Sequence, residues 1–226
     1  MNANSNPGRW IGAALLAVMV LEAVNNFMLQ ASLFGGEGVV ANAASQRAAI
    51  GCIIVLGVLA SGLSVWVAAT SSSLFGRAHP FLAWTYFALA VSVLAVTVVE
   101  VSTFMAMRGV SELYLASDPG ARVQLDGATA VARGLRNGIH FSNKMMGGAS
   151  VLAFYLLLFK ARAIPRPLAA FGIVAAPLQM IGVALPLFGL AVVYPLLAPL
   201  GLAYAATSVW LLVKGFATPV DQPTFA

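Results

Sequence analysis

The sequence predicts an all-α fold, an integral membrane bundle of about six transmembrane helices with both termini cytoplasmic. Three observations predict it. Of 226 residues, 61% are hydrophobic and only 8% are charged, whereas a soluble domain carries about a quarter charged residues. The mean hydropathy is +0.92. The apolar residues also gather into segments of about 20 residues or more, the length needed to cross about 30 Å of hydrocarbon. These features exclude a water-soluble enzyme, a disordered chain and a nucleic-acid-binding domain, and residues 1–226 read as a single transmembrane domain. The net charge of +5 is spread along the chain and makes no basic patch, so no nucleic-acid partner is expected.

Six spans stand out in order: Trp10 to Phe34, Ala48 to Ala69, Phe81 to Met107, Ile139 to Phe159, Leu168 to Leu190, and Val192 to Val213. The first differs from a secretory signal because its apolar run is too long. Glu22 also interrupts it, and the small-residue Ala41-Asn42-Ala43 triplet lies well beyond its end. The loops Ser71 to His79 and Lys160 to Arg166 are short, so the helices they join should be antiparallel neighbours. Residues 108–138 form a much longer outer connection. In it, Asp118-Pro119 is a helix-start signal, and Ala121 to Arg133 then makes a short surface helix or extends the fourth span. Such a connection acts as a lid or as a plain connector. Pro177 and Pro186 should kink the fifth span, with Gln179 bonding a freed carbonyl, and Pro195 and Pro199 should kink the start of the sixth. Cys52 reads as a small packing residue, and Gly147-Gly148 as a point of close helix approach.

Orientation follows from the basic residues of the loops. With the N-terminus inside, the cytoplasmic side carries Arg9, Arg77, Lys160, Arg162, Arg166 and Lys214 against Asp221. The other side carries Arg47, Arg108, Arg122, Arg133 and Arg136, together with Glu37, Glu112, Asp118 and Asp126. Trp10, Trp66, Trp84 and Trp210 all fall at cytoplasmic span ends, where an indole sits at headgroup level.

The remaining ionisable residues lie inside spans, where they are costly and usually face a bundle interior or a wet cavity. Glu22 is followed by Asn25, Asn26 and Gln30, a polar stripe on one face of the first span. In the third span Glu100 shares a face with Ser92, Thr103 and Met107. The fourth span brings Arg136, His140 and Lys144 at i, i+4 and i+8, with Asn143 beside them. All three stripes fall in the outer half of the membrane, so Glu22 and Glu100 can meet His140 and Lys144 and largely neutralise one another.

Two readings of that meeting remain open. One is an ion-pair network that fixes helix register. The other is a polar pocket for a small ligand, ion or proton, because Asn25, Asn26, Gln30 and Asn143 exceed what two ion pairs require. Glu22, Glu100 and His140 are the candidates for general acid/base chemistry, which would suit a membrane-embedded enzyme on a lipid-like or isoprenoid substrate. A structural subunit of a larger complex is the third possibility. No metal is expected, since neither a His-x-x-x-His nor a Glu-x-x-His pair occurs and Lys144 would repel a cation. No cofactor motif is present, and the expected partners are the lipid bilayer and the pocket's ligand.

The C-terminal third adds a resemblance. Phe159-Lys160-Ala161-Arg162-Ala163-Ile164-Pro165-Arg166-Pro167-Leu168, then Gly172, then Trp210-Leu211-Leu212-Val213-Lys214-Gly215, resembles the bacterial membrane family termed domain of unknown function 4386. The resemblance implies a short polytopic protein of the inner (plasma) membrane with a long connection before the fourth span. It implies no activity and brings no catalytic residues. Members often carry a histidine where the fourth span begins, which Arg136 or His140 matches. They also often carry an acid in the last span near the position of Tyr204.

Overall fold

The structure, a computed structural model, describes residues 6–36 and 38–217, the side chain of Gln124 excepted. Glu37 and Asp221, counted above among the loop charges, lie outside the described residues. The described chain is helical, with no strand among the described residues. In chain order, α1 runs Pro7–Phe34, α2 is the short helix Val39–Asn42, α3 runs Arg47–Phe75 and α4 runs Pro80–Ala116. Helix α5 runs Pro119–Lys160, α6 runs Arg166–Ala184 and α7 runs Ala198–Lys214. Five helical segments are long and apolar enough to cross a membrane: α1, α3, α4, α6 with its continuation to Phe188, and Tyr194–Lys214, which contains α7. Helix α5 falls outside that set because its N-terminal half is polar, with Arg122, Asp126, Arg133 and Arg136 among its residues.

The six long helices pack as a closed ring in the order α1, α3, α4, α5, α6, α7 and back to α1. Consecutive helices alternate in direction, so both ends of the described chain lie at one end of the ring, here the terminal end. Helix α1 therefore stands opposite α5, which places the two most polar stripes of the sequence across the ring's centre from each other. An apolar cluster that includes Ile11, Leu15, Phe75, Tyr86, Phe154, Tyr155 and Leu211 fills the terminal end. A smaller one, Leu33, Val39, Ile50, Ile53, Phe104 and Met107, fills the distal end.

Local chemistry sets the helix ends. Asn6 caps α1, its Oδ1 accepting from Gly8 N at 3.0 Å with Pro7 in the first turn, and the same oxygen accepts from Phe216 N at 3.1 Å. Gly215, at φ +70°, lets the chain turn back over Asn6 where any Cβ would collide with it. Gly12 brings α1 against the backbone of α7, where a Cβ would lie 2.4 Å from Leu212 N, and Gly8 packs against the backbone of Gly215 and Phe216 just beyond it. Further along, the two helices line the central cavity.

The expected long connection over residues 108–138 is instead a helical hairpin. Helix α4 continues to Ala116, and after Ser117 and Asp118 helix α5 begins, with Asp118 Oδ1 accepting from Ala121 N at 2.9 Å. Of the two possibilities for Ala121 to Arg133, the structure shows the extension. At 1.5 Å per residue, the 37 residues of α4 and 42 of α5 give rods of about 55 and 63 Å. The residues of this distal extension are largely polar, so no irregular loop is needed.

Other details depart from the sequence reading. Cys52 is exposed on the outside of α3. Gly148 packs closely, a Cβ there lying 2.4 Å from Met180 Cγ, whereas Gly147 has nothing within 4 Å. Pro195 sits in a 3-10 turn at Tyr194–Leu196 and Pro199 in the first turn of α7, where proline fits without kinking a helix. Pro186 likewise falls in the 3-10 turn Leu185–Phe188 that ends α6, and Pro177 alone lies inside that helix.

Candidate functional site

The site begins with a local irregularity. Within α1, residues Val24–Gln30 form a π-helix, a wide turn frequently found at functional sites. In this turn Asn26 Nδ2 donates to Glu22 Oε2 at 2.8 Å and Gln30 Nε2 donates to Asn26 Oδ1 at 3.3 Å. Glu22, Asn26 and Gln30 thus form a continuous polar ladder facing α5.

Helix α5 answers from across the ring. Lys144 Nζ donates to Glu22 Oε2 at 3.3 Å, and Arg136 Nη2 donates to Gln30 Oε1 at 2.6 Å. The ladder is therefore closed at both ends by cations of α5, and every donor along it points toward the Glu22 carboxylate. The Glu22–Lys144 pair stays partly open, with side chains 34% and 33% exposed.

A second network joins α5 to α4 and α3. His140 Nδ1 lies 2.7 Å from Glu100 Oε1, and Asn143 Nδ2 donates to Glu100 Oε2 at 2.8 Å and to Thr97 Oγ1 at 3.0 Å. Ser61 Oγ donates to the same Thr97 hydroxyl at 3.2 Å. An ionised carboxylate only accepts, so Nδ1 carries the proton of a neutral His140. The other ring nitrogen, Nε2, makes no hydrogen bond to the described residues and His140 lines the cavity.

Between these networks and the terminal cluster lies a cavity of about 750 Å³. Glu22, Asn26, Gln30, Arg136, His140, Asn143 and Lys144 line one part of it. Leu15, Val18, Met19, Val151, Phe154 and Leu200 line the apolar remainder, with Tyr86 and Tyr204. Phe27 and Tyr194, 78% and 70% exposed, also line it, one on α1 and one in the segment that leads into α7. They mark where the cavity meets the surface.

Most of the candidate residues therefore gather: Glu22, Asn26, Gln30, Arg136, His140, Asn143 and Lys144 line the cavity, and Glu100 stands directly behind His140 and Asn143. Two do not. Asn25 turns to α3 and donates to Ile53 O at 3.3 Å. Thr103 bonds the Glu100 carbonyl of its own helix at 2.6 Å. Gln179, expected to serve its own helix, instead reaches across to the Lys144 carbonyl at 3.5 Å.

Thr97, Ser61 and the two rings at Arg136 were not singled out in the sequence. The Arg136 guanidinium lies 4.8 Å from the Phe34 ring centroid and 5.4 Å from that of Phe104. Lone hydroxyls in apolar runs usually bond their own helix, so nothing local distinguishes Ser61 and Thr97.

A family model described as domain of unknown function (DUF4386) matches residues 10–215. The chain belongs to this family. The match takes in every helix of the ring, and so both halves of the polar site, and not the C-terminal third alone. No curated protein and no solved structure matches the chain. The DUF4386 assignment carries no activity, so the site's chemistry has to be argued from its own residues.

Proposed function

We propose that the protein is a six-helix inner-membrane protein that binds, and moves or senses, a small ligand in a pocket in the outer half of the bilayer. Both termini face the cytoplasm, which makes the distal end of the ring the outer side. Helix α5 is the sixth span. Its polar stripe lowers its hydropathy, but that stripe faces the ring's interior and so costs nothing against lipid.

The cavity carries this reading. A network that only fixed helix register would close upon itself, with its charges paired and packed. Here the polar ladder borders about 750 Å³ of open space, within the range of small-molecule sites. Glu22 and Lys144 remain a third exposed within it. Glu22 and Lys144 would form the charged centre, with Asn26 and Asn143 orienting the ligand and His140 presenting Nε2.

The test is purification of the wild-type protein in mild detergent, followed by extraction and mass spectrometry of small molecules that travel with it. Glu22→Gln should lose the bound molecule, as should Met19→Trp, which fills the apolar part. Both should keep the helical content and melting behaviour of the wild type. If both variants carry the same molecules as wild type, the pocket reading fails.

One observation favours a second reading, a membrane-embedded enzyme. A carboxylate on Nδ1 of a histidine whose Nε2 faces a cavity is an arrangement suited to general acid/base work. In that case the co-purifying molecule would be converted by the wild-type protein and left unconverted by His140→Gln at a concentration that saturates the variant.

A further inference from the structure

We propose that the pocket takes an anionic amphiphile, a molecule with a carboxylate or phosphate head and one apolar chain. This rests on the pocket reading above and names its ligand class.

Counted as two carboxylates and two cations, Glu22, Glu100, Arg136 and Lys144 sum to zero, but they are unevenly matched. Both carboxylates have donors on their oxygens: Lys144 and Asn26 on Glu22, His140 and Asn143 on Glu100. Among the described residues Arg136 has no carboxylate in contact with its guanidinium, and Glu100 acts on it only through space. It is 7% exposed, and among the described residues its guanidinium meets only neutral acceptors, Gln30 Oε1 at 2.6 Å and Asn137 Oδ1 at 3.3 Å. Its Nε is buried with no partner.

A buried cation is ordinarily paired, because the desolvation cost is otherwise uncompensated. Phe34 and Phe104 hold the guanidinium by their ring faces, which steadies its plane without supplying negative charge. The group lines the cavity and a guanidinium presents a fork suited to carboxylate or phosphate. His140 and Lys144, one and two turns along the same face, add donors toward the same space.

The rest of the cavity argues for a chain attached to that head. Below the polar groups the lining turns apolar, through Val18, Met19, Val151 and Phe154. The rim passes between Phe27, on α1, and Tyr194, in the 3-10 turn that leads into α7, and these two exposed rings give an apolar chain an apolar entry. Arg136 lies on the distal side of His140 and Lys144, at the level where a lipid headgroup would reside, with the apolar part deeper. A small hydrophilic anion would match the head site and leave the apolar space unused.

The experiment uses the full chain in phosphatidylcholine nanodiscs and measures binding of radiolabelled oleate and dodecyl phosphate, with dodecanol and dodecylammonium as uncharged and cationic controls. Expected is saturable binding of at least one anion, weaker by about tenfold or more in Arg136→Gln and only partly restored in Arg136→Lys, which keeps the charge and loses the fork. A preference for oleate assigns a carboxylate head, and a preference for dodecyl phosphate a phosphate head. Met19→Trp should remove binding of either. If dodecanol or dodecylammonium binds as tightly as the anions and Met19→Trp removes it, the pocket stands and the anionic assignment is overturned. If no probe binds and nothing co-purifies with wild type, the pocket itself falls. Should Arg136→Gln fail to assemble, the wild type's ratio of dodecyl phosphate to dodecanol binding decides the matter, parity overturning the proposal.

Discussion

Asn143 Nδ2 stands 2.8 Å from Glu100 Oε2, on the carboxylate oxygen that His140 leaves untouched. The Glu100 carboxylate is thus held from both sides by α5, and the same amide also bonds Thr97 on α4 at 3.0 Å. Replacing Asn143 by Leu would strip a donor from a buried carboxylate and from a buried hydroxyl at once. The expected loss is about 1–3 kcal/mol, read as a lower unfolding temperature of the purified protein. An unchanged midpoint would mean that the network contributes nothing to holding α4 against α5.

The Glu22–Lys144 pair should behave differently. With both side chains about a third exposed, solvent screens it, and its coupling energy in a double-mutant cycle should be about 1 kcal/mol or less. The cycle uses Glu22→Gln, Lys144→Met and the double variant, followed by thermal unfolding. A coupling of several kcal/mol would show the pair to be structural first.

Glycines separate the tight contacts from the open ones. Gly12→Ala would drive a methyl against the backbone of Leu212 and Leu211, and backbone cannot swing aside as a side chain can. The expected cost is about 2 kcal/mol or more. Gly147→Ala meets nothing within 4 Å, so it should change stability by no more than about 1 kcal/mol, in the stabilising direction. Equal effects at the two positions would contradict the described α1–α7 contact.

Topology can be read by thiol labelling in a Cys52→Ala background. Ser117→Cys, in the turn between α4 and α5, should react with a membrane-impermeant maleimide in cells whose inner membrane is intact. Ala78→Cys, between α3 and α4, should react only after that membrane is permeabilised. The reverse pattern would invert the orientation and move the pocket to the cytoplasmic half.

The spans that sequence periodicity makes visible are those whose burial is decided by lipid. Long apolar runs mark α1, α3, α4, α6 and α7 whatever their neighbours. Helix α5 shows an apolar run only over Ile139 to Phe159, and the rest of it is legible only through its partners, because its polar face is acceptable solely where α1 and α4 cover it. The stretch over residues 108–138 was half legible: Asp118-Pro119 signals the start of α5, while the continuation of α4 to Ala116 escaped for a related reason. Polar residues there look like a loop, and only pairing of α4 with α5 shows them to be the wet part of two long helices. The site was readable where charges are scarce, at Glu22, Glu100, His140 and Lys144. It was unreadable where ordinary residues acquire a role by position, as Phe34 and Phe104 do around Arg136. Asn25 and Thr103 share sequence neighbourhoods with site residues, yet local backbone partners hold them elsewhere.

The π-helix within α1 has a further consequence, for how many residues this helix holds. A wide turn holds more residues per rotation than an α turn. In ordinary α geometry positions eight apart sit about 80° from one another around the axis, so the wide turn at Val24–Gln30 is what sets Glu22 and Gln30 on one face, toward Lys144 and Arg136. Were one residue removed from that stretch, the turn would tighten to ordinary α geometry with both ends still on that face, whereas the middle rung, Asn26, would lose its place between them. Relatives with one position fewer there should therefore carry an unbroken α-helix and keep both ends of the ladder.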